Sequence, residues 1–508
     1  MRATVCRSVF FAFSLFSAVS VPLAAQSLGQ LSFANSGAAG AQADFLRGML
    51  YLHSFEYADA ARSFQAAQNK APGFALAYWG EAVSYNHGLW DEQDLQAGRA
   101  ALAKLGATPA ERAAKAPTAR EKTLLESVEL LYGEGTKPRR DTLYAQVLDR
   151  LSAANPADDE LKLLYALALM SEGQGVRHTQ TYMRAGALAL EVLERQPNHP
   201  GAAHYVIHAF DDPVHASLGL RAARAYSRIA PDAAHAQHMT THIFLALGMW
   251  PETITQNTIA SGTDRTKWQP GHYTYWLHYA LLQQARAGEA ADLLELLWKN
   301  SGPSASAGRR LHLSMARGQQ VITGERWDDP ALAWNIPLDD AGALARAADG
   351  FVRGYAGLKR GDLGTAEKAL VDIQKAKEAA PSRYGGQPQT PVLLEGELRA
   401  LLLRAQGNKA ESLTLLSAIG DSLDAMPMDY GPPDLPKPPR ELLGEWLLAD
   451  GDAAGAQRAF TRALEMTPGR LRSLEGLAQA ASRTGDTAVA ERARAQLASN
   501  VVRKEAAR

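Results

Sequence analysis

The chain has 508 residues, and its 53 Lys and Arg against 54 Asp and Glu give a formal charge of −1. So even a balance offers no electrostatic footprint for nucleic acid or anionic lipid, and the single cysteine, Cys6, excludes a disulfide framework and any set of thiolate metal ligands. Length alone would suggest about three ordinary domains, but a repeat array grows in one dimension and escapes that rule.

At the start of the chain, Arg2 and Arg7 precede a mostly apolar stretch from Val9 to Leu23, closed by the small residues Ala24 and Ala25. This pattern predicts a secretory leader over 1–25 and therefore an exported protein, periplasmic or secreted. The apolar stretch is short for a bilayer span, and no later segment has eighteen uninterrupted apolar residues, so no membrane span is expected. Without Arg2 and Arg7 the formal charge becomes −1 − 2 = −3, and removal of the leader takes the one cysteine with it.

Residues 45–72, FLRGMLYLHSFEYADAARSFQAAQNKAP, read as a helix pair. Gly48 and Tyr51 mark the first helix. Ala60, Phe64 and Ala67 mark the second, where small residues let the helices approach and the aromatic ring fills the gap between them. Pro72 then stops the second helix. Further helix pairs are expected near 75–105, 117–154, 157–196, 200–229, 234–262 and 269–299, with ATPAERAAKAPTAR at 107–120 as a flexible joint.

The run from 199 to 278 holds nine of the thirteen histidines: His199, His204, His208, His215, His235, His238, His242, His272 and His278. Their spacing repeats, since 238 − 204, 272 − 238 and 242 − 208 all equal 34, as does 231 − 197 for the prolines Pro231 and Pro197. A 34-residue period is that of a helix-turn-helix solenoid, in which equivalent residues lie side by side on adjacent helices. His204 with His208, and His238 with His242, are also four apart, so each pair projects from one helix face and together they form a two-by-two patch of imidazoles.

Beyond this run, NSGPSASAGRR at 300–310 and ERWDDPALAWNIPLDDAG at 325–342 break the periodicity. The chain is accordingly divided into an N-terminal array over 26–300, an irregular connector over 301–342 and a C-terminal array over 343–508, with pairs near 343–380 and 389–423. MPMDYGPPDLPKPPR, entering the next repeat, is expected to be extended because successive prolines forbid helix. ELLGEWLLADGDAAGAQRAFTRALEMTP, from 441, then repeats the first scheme with Gly444, Ala456, Phe460, Ala463 and Pro468, and LRSLEGLAQAASRTGDTAVAERARAQLA follows in phase.

These residues make the chain resemble the tetratricopeptide repeat (TPR) superfamily over nearly all of its length. Through AYWGEAVSYNHGLW, HYVIHAFDDPVHA, HAQHMTTHIFLALGMW and PPRELLGEWLL it also resembles a group of exported bacterial repeat proteins. The resemblance implies an all-α fold, a right-handed α-solenoid whose first helices line a concave groove holding a peptide or partner protein. It further implies that the residue three before the packing glycine and the residue one after it face that groove. Glu441 and Glu445 flank Gly444 in this way; counting the same 24 residues back from Pro231 puts Ile207 in the glycine slot, and Thr241 follows 34 later. His204, His208, His238 and His242 then face the groove, His272 and Trp276 continue the two rows, and His235, His53 and His87 are expected to look the same way.

Helix axes about 8–10 Å apart let imidazoles from equivalent slots converge on one ion at about 2.0–2.1 Å. His204, His208, His238, His242 and His272 are the expected metal ligands, and nitrogen donors suit zinc, copper, iron or nickel. Asp211 is a candidate oxygen ligand, imidazole-orienting acceptor or catalytic group, and Glu441 and Glu445 are candidates for base or substrate clamp. Tyr205 and Met239 stand where an HExxH peptidase needs glutamate, and no GxGxxG, P-loop or nucleophile-elbow pattern occurs. Two readings follow: an exported metalloprotein, with a metal-dependent enzyme among its forms, acting on a small or peptide ligand in the groove, or an interaction scaffold gripping a partner protein there. An isolated HxxxH pair is more often packed or solvated than ligating; two pairs in register, followed by His272, shift that balance toward a metal.

Overall fold

The computed structural model describes residues 27–502 except 174–175, 303, 379–387 and 429, so the leader read at 1–25 and Cys6 lie outside the described residues. Within them the protein is an all-α solenoid of TPR-like helix pairs. In chain order the helices are α1 (Gln42–His53) and α2 (Tyr57–Lys70), α3 (Ala75–Val83) and α4 (Leu95–Leu105), the short α5 (Pro109–Ala114), α6 (Ala119–Leu131) and α7 (Lys137–Ala154), and α8 (Asp159–Ser171) and α9 (Thr179–Arg195). The histidine repeats follow as α10 (Pro200–Phe210) with α11 (Ala216–Ile229), α12 (Ala234–Ala246) with α13 (Trp250–Ala260), and α14 (His272–Gln283) with α15 (Ala287–Ser301). The rest are α16 (Ala307–Thr323), α17 (Gly342–Lys359) with α18 (Leu363–Ala376), α19 (Thr390–Ala405) with α20 (Lys409–Asp424), α21 (Pro439–Ala449) with α22 (Ala453–Met466), and α23 (Leu471–Thr484) with α24 (Thr487–Val502). A two-residue ribbon, β1 (Asn86–His87) against β2 (Glu92–Gln93), interrupts the second pair. Among the described residues no helix is long and apolar enough to cross a membrane.

Glycine–aromatic packing carries the repeat. A Cβ on Gly48 would lie 2.8 Å from the Phe64 ring and one on Gly80 would lie 2.5 Å from it, so Phe64 is clamped between the first helices of two successive pairs. Phe460 is clamped in the same way between Gly444, at 2.9 Å, and Gly476. Side chains larger than hydrogen would hold those helices apart.

Within the irregular connector expected over 301–342, α16 occupies the centre as a well-buried helix, so the irregular parts among the described residues are the short stretch before Ala307 and 324–341, the latter with a 3-10 turn at Pro330–Ala333. Its apolar positions, from Leu311 to Ile322, continue the helical stack; the prolines on either side hid it.

Inner and outer helices separate by burial. Second helices such as α11 bury one stripe, Ala216, Gly219, Ala222, Ala223, Tyr226 and Ile229, at helical spacing. Every residue of the first helix α10 is buried, and so is all of α12 beyond its first residue. These inner helices are covered on their concave side by both ends of the chain. At one end, Gln30 N–H donates to the Asn198 carbonyl at 3.0 Å, and the α1–α2 turn lies against α10 and α12, where Glu56 accepts from His235 N–H at 3.3 Å. At the other, Trp250 Nε1 donates to the Gly469 carbonyl at 3.1 Å, Leu471 N–H donates to Gln283 Oε1 at 3.0 Å, and Arg470 reaches Tyr279 Oη at 3.3 Å.

Candidate metal centre

Six histidines from three inner helices collect under that cover. α10 supplies His204 and His208, α12 supplies His235, His238 and His242, and α14 supplies His272. They divide into two trios, His204 with His208 and His235, and His238 with His242 and His272; within each, one ring nitrogen per residue lies within 4.8 Å of the others. The 34-residue rows put His204, His208, His238, His242 and His272 in one set, and the structure brings His238, His242 and His272 together as one of two groups. His235, expected only to face the groove, instead completes the first, because it sits at the N-terminal end of α12 with its ring centroid 5.1 Å from that of His204.

What surrounds each ring decides which nitrogen is free to bind. His204 Nδ1–H donates to the His53 carbonyl at 2.6 Å, His238 Nδ1–H to Asn257 Oδ1 at 2.7 Å, and His242 Nδ1–H to Asp211 Oδ2 at 3.0 Å. With the proton on Nδ1, each Nε2 carries a bare lone pair. His204 Nε2, His208 Nε2 and His235 Nε2 are buried without a hydrogen-bond partner among the described residues. His238 Nε2 and His242 Nε2 face each other at 3.2 Å, and neither has a hydrogen to offer the other. Two nitrogens each about 2.0–2.1 Å from one ion at a tetrahedral angle would lie about 3.3 Å apart, a separation close to this one.

Burial pushes His204, His235, His238 and His272 well below the usual imidazole range, and the neighbouring rings add to it. Burial also lowers His242, against the pull of Asp211. These five rings are thus held toward the neutral form, the one that ligates. For Asp211, burial works against ionisation, but Arg177 and then the rings of His208 and His242 outweigh it and hold the carboxyl well below the usual range. Its Oδ1 pairs with Arg177, while Oδ2 lies 3.0 Å from His242 Nδ1 and 3.5 Å from His208 Nδ1. Of the roles open to Asp211 in the sequence, this geometry shows an orienting acceptor whose oxygens are already engaged.

A second buried cluster, His53, Glu160 and His199, differs in kind. Glu160 accepts from His53 Nε2–H and His199 Nε2–H, each at 2.9 Å, and the free nitrogens accept from Tyr205 Oη–H at 2.9 Å and Ala202 N–H at 3.3 Å. No lone pair is left over. This cluster fixes the end of α1, whose His53 carbonyl orients His204, and Gly201 permits the approach because a Cβ there would run into the His53 ring.

Aromatic rings wall the trios. Phe55 covers His204 at 4.3 Å between centroids, and Trp276 packs at 4.5–5.0 Å from His238, His242 and His272. Tyr273 stacks on His238 at 4.5 Å and Tyr430, from the proline-rich segment, on His242 at 5.0 Å. Trp90 and Tyr430 are more than a third exposed, so they and the half-buried Tyr273 form the rim facing solvent. Trp276 is therefore a wall of the second trio, and Phe55, Tyr273, Asn257 and Tyr430 are site residues that the sequence reading missed. None of the four carried a local signal, since each reaches the histidines from another helix or loop.

Three expected residues lie elsewhere. His87 stacks on Tyr57 at 4.0 Å, faces Glu92 at 3.5 Å and stays outside both trios. Glu441 is bound by Lys437 at 3.0 Å, Arg470 at 2.8 Å and Ser473 at 2.6 Å, and Glu445 pairs with Lys437. These carboxylates are engaged in a buried charge network, and among the described residues neither is hydrogen-bonded or ion-paired to a histidine, so the structure places them in packing contacts where the sequence offered a base or substrate clamp. Adjacent first-helix slots share a face, but those several repeats apart are separated by the turn of the superhelix.

No family model and no curated protein matches the chain. Among solved structures it is similar to the yeast Tom70 structure (12% identity, 88% of this chain and 96% of that one, TM-score 0.33). It is also similar to the human IFIT1 dimer with PPP-AAAA (14% identity, 89% and 88%, TM-score 0.36) and the P58(IPK) TPR domain (13% identity, 88% and 99%, TM-score 0.23).

Proposed function

We propose that this is an exported metalloprotein that binds a transition metal through His204, His208, His235, His238, His242 and His272 and presents it to a ligand entering past Trp90, Tyr273 and Tyr430. The observation that carries the reading is the 3.2 Å approach of two buried, unprotonated nitrogens, His238 Nε2 and His242 Nε2, whose other ring faces are pinned by Asn257 and Asp211. Opposed lone pairs repel unless something cationic lies between them. Three-histidine coordination leaves a position open for water or substrate, which is what metal catalysis requires.

The alternative, a scaffold gripping a partner protein with these histidines, is less favoured because the rings are under the chain's own α1–α2 turn and residue 430, where an extended peptide would have to displace Phe55 and Tyr430. Elemental analysis of untagged protein tests the proposal. Stoichiometric metal is expected, and the double change His204→Ala, His238→Ala should remove it while far-ultraviolet circular dichroism keeps its helical shape. Metal-free wild-type protein that stays metal-free after dialysis against zinc or copper would sink the reading.

A further inference from the structure

We infer that His312 is the entry ligand of the metal centre: it takes an ion from solution and passes it through His272 to the second trio. The inference rests on the metal-binding reading above and deepens it. His312 lies on α16, the inner helix packed beside α14, and continues the row of imidazoles one helix further. The ring centroids of His238 and His272 are 4.6 Å apart, and those of His272 and His312 are 5.7 Å apart. The 34-residue period passes this residue by because 312 − 272 is 40: His272 opens α14, whereas His312 sits five residues into α16.

Burial falls off along that row. His238 and His242 are 0% and 2% exposed, while His272 and His312 are half-buried, so the row opens to solvent at this end. His312 Nδ1 lies 2.8 Å from the Gly308 carbonyl, which can only accept, so Nδ1 carries a proton and Nε2 keeps a lone pair. That Nε2 has no hydrogen-bond partner among the described residues and, unlike the Nε2 atoms of His204, His208 and His235, is not sealed from solvent. Several histidines outside the trios are held by carboxylates, His53 and His199 by Glu160 and His215 by Asp212, whereas His312 has no carboxylate within ion-pair distance among the described residues. His312 also belongs to neither trio, which puts its service on the path and not in the resting site. A hydrated ion exchanges one water for His312 Nε2. It then gains a nitrogen of His272 as a second water leaves, and drops His312 as His238 and His242 complete the set. Each exchange breaks one metal–ligand bond and forms another; the imidazoles give lone pairs and keep their ring protons, and no electron is transferred. Shedding water in steps spares the ion the cost of entering the buried trio bare.

The test mixes untagged, metal-stripped protein with zinc(II), or with copper(II) if it holds no zinc, and follows uptake by stopped flow and release to an excess of chelator. Relative to wild type, His312→Ala should slow uptake by about 10-fold and release by the same factor. Metal per chain and the dissociation constant should stay unchanged, because a ligand of the path alone alters rates and leaves the equilibrium where it was. His312→Glu, which restores a ligand atom at that place, should recover most of the rate, and His312→Phe, which fills the space without one, should not; circular dichroism reports that each variant is folded. Wild-type rates in His312→Ala or in His312→Phe overturn the entry role and leave metal binding intact. A weakened dissociation constant or a lost ion in both of those variants makes His312 a resident ligand or a prop for His272, and overturns the entry role equally. Wild-type protein that takes up neither ion overturns both readings, and this is read without any variant.

Discussion

His238 shows how much of a metal site is made by residues that never touch the metal. Its ring is fixed by Asn257 Oδ1, and the amide is itself oriented because its Nδ2 donates to Thr241 Oγ1 at 3.3 Å. Replacing Asn257 with Ala removes the acceptor, frees the imidazole to switch tautomer and lets Nε2 turn away from His242. Metal affinity, measured by competition with a chelator, should fall by about 10–100-fold while the fold is kept, and Asn257→Asp, which restores an acceptor, should recover most of it. An unchanged affinity in Asn257→Ala would mean that ring packing alone orients His238. The sequence could name His238 from its period but not its acceptor, because Asn257 comes from the outer helix of the pair and depends on how two helices cross.

At the scale of the helix, packing of the array depends on small residues where ridges meet. Gly80 is instructive because two effects oppose: alanine gains about 1 kcal/mol of helix propensity over glycine, whereas overpacking a tight core costs about 1–3 kcal/mol. Phe64, fully buried and held between Gly48 and Gly80, has no space to yield, so overpacking wins. Gly80→Ala should lower stability by about 1–2 kcal/mol in denaturant unfolding. Gly288→Ala in α15, where a Cβ meets nothing within 4 Å, should leave it unchanged or slightly raised. If both variants behaved alike, the clamp would not be what spaces the repeats. The outer helices, buried along one stripe, were legible as amphipathic helices; α10 and α12 show no such stripe because every side of them is covered.

For the whole molecule, the decisive feature is closure. The segment after α20 returns across the inner helices and brings Lys437, Glu441 and Arg470 together with Glu397 of α19 in a fully buried group. Glu397 has neither oxygen hydrogen-bonded among the described residues; burial raises its carboxyl well above the usual range, Lys437 opposes this and Glu441 and Glu445 reinforce it. The folded protein therefore keeps Glu397 protonated when the unfolded chain, with its ordinary carboxyl near pH 4.5, has already released the proton. Stability from this group is complete below pH 4.5 and declines as pH rises toward the folded value, by about 1.4 kcal/mol for each pH unit traversed. Glu397→Gln, neutral in both states, should then raise the urea midpoint at pH 7.5 and leave it close to wild type at pH 4. A midpoint unchanged at pH 7.5 would show that Glu397 is ionised in the folded protein and answered by Lys437.

The sequence by itself determined the helix pairs, the landmarks Gly48 with Phe64 and Gly444 with Phe460 in two of them, and, through the 34-residue period, one row of His204, His238 and His272 beside His208 and His242. Each of those follows from spacing along one helix or between adjacent repeats, where geometry is nearly fixed. Tertiary structure alone decided that six imidazoles divide three and three with His235 in the first set, that Phe55 and Tyr430 roof them, and that Glu441 and Glu445 serve the closure and not the metal. Those outcomes depend on small rotations summed over many repeats, and on which distant segment the resulting curve brings back against its own concave side; no local run of residues encodes that sum.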